Sequence, residues 1–327
     1  MSKRSFGSLL FLVLVFAGAL LVVQNAQSIS DTFQYHQYKP SGNIAALAEQ
    51  SGMNDKGKFL FYVSHPSLES AEMFNTHCGT LEKRAAILGC YNGVKIYIYD
   101  IADPRLEGIK PTTAAHEMLH AAYKRLDDGE RRRVDQLLEA EYLKLKDDAE
   151  LADRMAFYAE TQPGDRANEL HSIIGTEIRS IGSELEAYYK TYFLDRAKVL
   201  AQHEQYHSLF EQLKQRSKAL TEQIDRLAGD IDRKKTAYEN DVRQLESDIG
   251  AFNQRAQNGE FDNQAEFNRE RQQLVARSIS LDGSRAELNT AVSNYNLLVN
   301  ELNSIAIETN ALNKSIDSKV EPVPSIE

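Results

Sequence analysis

The sequence predicts an α+β protein: a small domain with a short β-sheet and several helices, then a long antiparallel α-helical coiled-coil hairpin, all behind an N-terminal transmembrane helix. Three observations carry this. An uncharged apolar run opens the chain, short strand-like and helix-like patterns mix through its middle, and apolar residues recur every seven positions towards its end.

The opening run, Phe6 to Val23, follows Lys3-Arg4 and contains no charge. As a helix it would rise about 27 Å, close to the thickness of a bilayer's hydrocarbon core. Residues 1–24 therefore read as a membrane anchor. A removed signal peptide is the alternative, since Ala26-Gln27-Ser28 is a passable small-x-small cleavage site. With Lys3 and Arg4 held back, the expectation is a single-pass membrane protein, N-terminus cytoplasmic and body extracytoplasmic, at the cell exterior or in the periplasm. The net charge of −10, with no basic block after the anchor, argues against nucleic acid as a partner. Cys78 and Cys90 are the chain's 2 cysteines; in an oxidising compartment they form either a disulfide or two buried thiols.

Residues 31–196 read as the mixed domain. Asp31–Gly57 either covers a cleft or links the domain to the anchor. Lys58–Ser64 is short, aromatic and apolar, and reads as a buried strand. Leu88–Tyr91 and Val94–Ile101 flank Asn92-Gly93, the strongest two-residue hairpin signal, and Asp103-Pro104 ends the second strand. A loop to Pro111 leads into a helix reaching about Arg125. Helices follow at about Asp128–Lys146, Ala149–Glu160 and Asp165–Ile181, and another from Ser183 runs on into the next region.

Residues 197–318 carry the heptads. Leu213, Leu220, Ile224, Leu227, Ile231, Tyr238, Val242, Leu245, Ile249 and Phe252 keep three/four spacing. Beyond the polar stretch Gln257–Asn263, a second array repeats at Phe267, Leu274, Leu281, Leu288, Tyr295 and Leu302. Two arms about one glycine-containing break predict an antiparallel hairpin; a bent pair of parallel dimeric coils is the alternative. Either form offers a surface to a protein partner. Residues 319–327, with Pro322 and Pro324, read as a disordered tail.

The chemistry sits at His116-Glu117-Met118-Leu119-His120. Residues four apart share a helix face, so His116 and His120 can grip one ion while Glu117 reaches a water beside it. Thr113, Ala114, Ala115, Ala121 and Ala122 flank the motif. A buried helix carrying three expensive polar groups requires a partner such as a metal. The same pattern recurs at His203-Glu204-Gln205-Tyr206-His207, but among polar neighbours, and there it reads as a solvated helix face.

A strand, a loop, an H-E-x-x-H helix and further helices resemble the zincin superfamily of metallopeptidases over roughly Lys58–Tyr192. The resemblance implies a Zn2+ cofactor, Glu117 as general base and a peptide or protein substrate laid as an extra strand on the sheet edge above the cleft. It also implies a third ligand from a later helix. Asn168-Glu169-x-x-Ser172 is similar to the gluzincin element N-E-x-x-S-D, which makes Glu169 that ligand; Ile173 stands where the element has an Asp that orients a ligand histidine. Glu177, among Ile173, Ile174 and Ile181, is the alternative third ligand, with His171 and Asp165 behind it. The oxyanion donor is open among His171, Tyr188, Tyr189 and Tyr192. The reading is thus a membrane-anchored zinc metallopeptidase. Its alternatives are a non-enzymatic coiled-coil envelope or adaptor protein with a degenerate zincin-like domain, and a hydrolase of non-peptide bonds such as cell-wall amides.

Overall fold

The structure, a computed structural model, describes Phe16, Val22 and residues 25–79, 88–161 and 164–319. Apart from Phe16 and Val22, the apolar run 6–23 lies outside these, as does the tail beyond Lys319. Among the described residues no helix is long and apolar enough to cross a membrane. The described residues are mostly helical with one three-stranded sheet, and the chain packs as two units. One comprises the chain up to Leu209 together with that from Leu312; the other is Phe210–Ala311.

The first unit opens with α1 (Ala26–Gln37), α2 (Gly42–Gln50) and α3 (Asp55–Val63). The strand expected at Lys58–Ser64 is therefore corrected to a helix. A continuous apolar run does not by itself distinguish the two. Asn54 decides locally, because its side chain caps the helix by accepting from the Gly57 N–H at 2.9 Å. Leu60, Phe61 and Val63 then turn into the core. Because α2 packs on the motif helix and α1 on α3, the 31–57 segment is built into the fold rather than serving as a linker.

The sheet comes from β1 (Ser67–Glu69), β2 (Gly89–Tyr91) and β3 (Ile96–Tyr99), in the order β1-β3-β2. β1, which no alternation in the sequence marks, pairs parallel with β3. β2 pairs antiparallel with β3, Cys90 opposite Tyr97, and forms an edge. The turn spans 92–95, longer than Asn92-Gly93 alone. Asn92 accepts the N–H of Val94 (3.0 Å) and Lys95 (2.8 Å) on its side chain, and Gly93 takes φ 93°, which a side chain rarely adopts. Between β1 and β2 lies α4 (Ala71–Cys78), and a disulfide joins its Cys78 to Cys90 of β2.

A 3₁₀ turn at Pro104–Leu106 precedes α5 (Ile109–Lys124), the motif helix. Pro111 is tolerated in its first turn, where backbone N–H groups have no intrahelical partner. Then come α6 (Asp128–Lys144), α7 (Ala149–Thr161), α8 (Arg166–Glu177) and α9 (Ser183–Tyr189). Two boundaries depart from expectation. α8 stops at Glu177, not Ile181, because the buried Arg196 guanidinium collects the carbonyls of Ile178 (2.8 Å) and Arg179 (3.1 Å) and pairs with Glu186. The helix from Ser183 does not run on. The chain leaves it to pair with the α2–α3 turn, where Phe193 bridges Met53 and the Leu194 N–H reaches the Gly52 carbonyl at 2.9 Å.

After that break, α10 (Arg196–Asn258) and α11 (Gln264–Ile316) form the long hairpin. Arg216 pairs with Glu301 (3.0 Å), Arg277 with Asp248, and Arg255 with Glu270 (2.8 Å), which sets the arms antiparallel and excludes parallel pairing within this chain. Leu213, Leu220, Ile224 and Leu245 are buried in the seam, and Phe252, Phe261 and Phe267 stack beside the turn. Beyond Ala311 the chain returns to the first unit: Leu312 is buried, and Ser318 bonds the Asn75 side chain at 2.8 Å.

Candidate metal centre

α5 is apolar almost all round, with Ala114, Ala115, Met118, Leu119, Ala121 and Ala122 buried, so it runs through the core instead of along the surface. Its most extensive partner is α8. Gly175 permits that approach: a Cβ there would overlap Leu119 and lie 2.7 Å from the Tyr189 ring. This close crossing brings the first turn of α8 to the polar face of α5.

Glu169 consequently faces both motif histidines. Its carboxylate lies 3.8 Å from His116 Nε2 and 3.6 Å from His120 Nε2, and the two imidazoles sit edge to face with centroids 4.7 Å apart. All three donor atoms fall within 4.8 Å of one another. Both separations are longer than a well-formed hydrogen bond, which leaves the carboxylate and the imidazoles spaced for an ion between them. A tetrahedral ion with ligand bonds of 2.0–2.1 Å holds its ligand atoms about 3.3 Å apart; the carboxylate–imidazole distances here, 3.8 and 3.6 Å, are slightly wider. The His120 Nδ1 is also buried without a partner among the described residues. A group of two imidazoles and a carboxylate fits a metal ion.

The charges agree. Burial opposes protonation of His116, but Glu169, Glu117 and Glu177 outweigh it and raise its pKa. Burial likewise works against ionising Glu169, yet His120, His116 and a hydrogen bond from Tyr158 hold its pKa below the ordinary value. Tyr158, on α7, is a contributor that sequence reasoning missed. Its only signal was an amphipathic helix with a tyrosine on one face, which does not say what the hydroxyl meets. It supports the carboxylate from a helix of its own, whereas Ile173, where the gluzincin element has its acid, lies in the apolar core.

Glu117 lies beside this group and is buried, which raises its pKa despite His120 and His116 nearby. Its carboxylate meets the edge strand. The Tyr91 backbone N–H hydrogen-bonds it, and Gly89 approaches so closely that a Cβ would stand 2.8 Å from Oε1. The far end of α5 is fixed by Arg125, which grips Asp31 of α1 through two 2.8 Å bonds and reaches the Tyr91 hydroxyl at 3.2 Å.

Glu177, the alternative third ligand, stands outside the group. It pairs with Arg154 at 2.6 Å and with His203 at 3.4 Å. That pairing also corrects the reading of the second H-E-x-x-H sequence as wholly solvated: His203 is turned inward to Glu177, while the exposed Glu204 binds Arg179. Asp165 sits at the start of α8, its carbonyl accepting the Glu169 N–H at 3.0 Å. His171 is fully buried, 2.9 Å from the Tyr188 hydroxyl, and burial holds its pKa down at about 3. Tyr188 in turn meets the Tyr192 hydroxyl at 3.2 Å, and the Tyr189 hydroxyl donates to the His171 carbonyl at 2.7 Å. These four candidates for oxyanion donor form a polar network of their own between α8 and α9.

No protein-family model, no curated protein and no solved structure matches this chain.

Proposed function

We propose that the protein is a membrane-anchored, extracytoplasmic zinc metallopeptidase. One observation carries this reading: His116, His120 and Glu169 converge within 4.8 Å while Glu117, a buried carboxylate, stands beside them at a sheet edge. His116, His120 and Glu169 would hold the ion, and two imidazoles with one carboxylate leave a tetrahedral site one open position, as catalytic zinc requires. When bound, zinc supplies Lewis acidity towards a carbonyl oxygen and acidifies water. The remaining chemistry belongs to the chain. Glu117 takes a proton from the attacking water and returns it to the departing amine; its raised pKa suits both transfers. β2 is an edge of the sheet and lies against Glu117, so an extended peptide added beside it would pass a scissile bond by that carboxylate. Tyr158 holds Glu169 in place.

Elemental analysis of the purified protein should return one zinc per chain, lost in His116→Ala. Glu117→Gln should keep the zinc and abolish peptide hydrolysis. Full activity in Glu117→Gln would remove the assignment. A second reading, a coiled-coil envelope or adaptor protein that does no chemistry, draws its support from the hairpin unit, Phe210–Ala311. It requires that the wild-type protein bind zinc weakly or hydrolyse nothing under the same assay.

A further inference from the structure

β2 is held differently on its two sides. Successive residues of a strand point to opposite faces, so Cys90 projects from one face of the sheet and Gly89 and Tyr91 from the other. On the first face Cys90 joins Phe74, Tyr97 and Cys78 in a small apolar cluster, and its sulfur is bonded to that of Cys78 on α4. On the second face Gly89 lies against the Thr113 and Glu117 side chains of α5, and the Tyr91 hydroxyl reaches Arg125. The backbone is turned to match. The Asn92 N–H bonds the Lys95 carbonyl at 3.1 Å, and the Tyr99 N–H bonds the Leu88 carbonyl at 2.9 Å. Hydrogen-bonded positions alternate along an antiparallel pair, so Cys90 faces Tyr97 through the ladder while the Tyr91 N–H points away from β3. Glu117 accepts that outward N–H.

We propose that the Cys78–Cys90 disulfide positions the general base: it pins β2 from behind and so keeps the Gly89–Tyr91 backbone against the Glu117 carboxylate. The proposal rests on Glu117 being that base. A side-chain donor can follow a shifting carboxylate by changing rotamer, whereas a backbone N–H goes only where its strand goes. β2 has little else to fix it. It is 3 residues long and, among the described residues, has one neighbouring strand. A strand pair this short is marginal by itself. Cys78 belongs to a helix packed on β1 and β3, so the disulfide ties the edge strand to the body of the sheet. The three proposed ligands stand on α5 and α8, which places the effect of the disulfide on the base and not on the ion. Displacing a catalytic group by about 1 Å costs on the order of 100-fold in rate.

The test compares three forms of the full-length protein: oxidised wild type, wild type reduced with a water-soluble phosphine, and the Cys78→Ala/Cys90→Ala variant. All are assayed at a temperature well below unfolding. Helical circular dichroism and zinc per chain should match across the three. The kcat for peptide hydrolysis should fall on the order of 100-fold in the second and third forms. Their Tyr91 amide should exchange with deuterium about tenfold faster, with the amides of α5 unchanged. Reoxidising the reduced wild type should restore both signals, and the double variant should not respond. If the double variant fails to fold, the reduced wild type, which keeps both sulfurs, decides. Unchanged kcat and Tyr91 exchange on reduction would overturn the proposal and leave the peptidase reading in place. Loss of zinc or helix together with kcat would also overturn it, since the disulfide would then support the whole fold. An oxidised wild type that carries zinc and hydrolyses no peptide would remove the role of Glu117 and the proposal with it.

Discussion

Replacing Glu169 by Gln is the most direct probe of the metal centre. Its carboxylate is the only acid in the group that faces both imidazoles, at 3.6 and 3.8 Å. Gln keeps the volume and removes the charge, so α8 should pack on α5 as before. A four-ligand zinc site yields roughly 10–16 kcal/mol of binding free energy near neutral pH. If one of its ligands carries about a quarter of that, losing it costs about 3 kcal/mol, a weakening on the order of 100-fold. Competition against a chromophoric chelator measures the affinity, and elemental analysis measures the stoichiometry. Glu177→Gln is the paired control: its carboxylate is bound to Arg154, so zinc affinity should hold even as stability falls. The reasoning fails if Glu169→Gln binds zinc as tightly as wild type, or if Glu177→Gln is the variant that loses it.

Other consequences follow from the same geometry. Tyr158→Phe removes the hydrogen bond to Glu169 and should weaken zinc binding about tenfold, the low end for a residue supporting a ligand, read by the same competition assay. Gly89→Ala forces a methyl against Thr113 and Glu117; overpacking of about 1–3 kcal/mol should cut kcat roughly 10- to 100-fold with zinc content unchanged. Glu177 has a pKa held well below the ordinary carboxylate range by Arg154 and His203 against the cost of burial. Its contribution to stability is therefore complete above about pH 4.5 and is lost as pH falls through the folded value, at up to about 1.4 kcal/mol per pH unit. Chemical denaturation as a function of pH should show Glu177→Gln less stable at pH 7 and with a flatter acid limb. An unchanged limb would contradict the pairing.

What the sequence settled by itself was local. His116 and His120 share a face because four residues make just over one helical turn, and that spacing is readable without knowing what surrounds it. The hairpin arms follow from a repeat sustained over many turns, and the β2–β3 pairing from a short turn between two apolar runs. Length is what makes such signals reliable; where an apolar run was short, as at Lys58–Ser64, the pattern fitted strand and helix equally and Asn54 made the difference.

Only the tertiary structure decided the rest, because it depended on groups far apart in the chain. Glu169 and Glu177 sit two turns apart on one helix, the first buried and the second nearly so. Nothing within α8 separates them. Arg154 and His203 take one, the imidazoles of α5 face the other, and both choices are made by helices that meet α8 only in the folded chain. The break at 190–195 has the same origin. A helix was the better local solution there, and pairing with Gly52 and Met53 outweighed it. Short-range periodicity records the free energy of one element; the choice between two acids on one helix is an energy of several elements together.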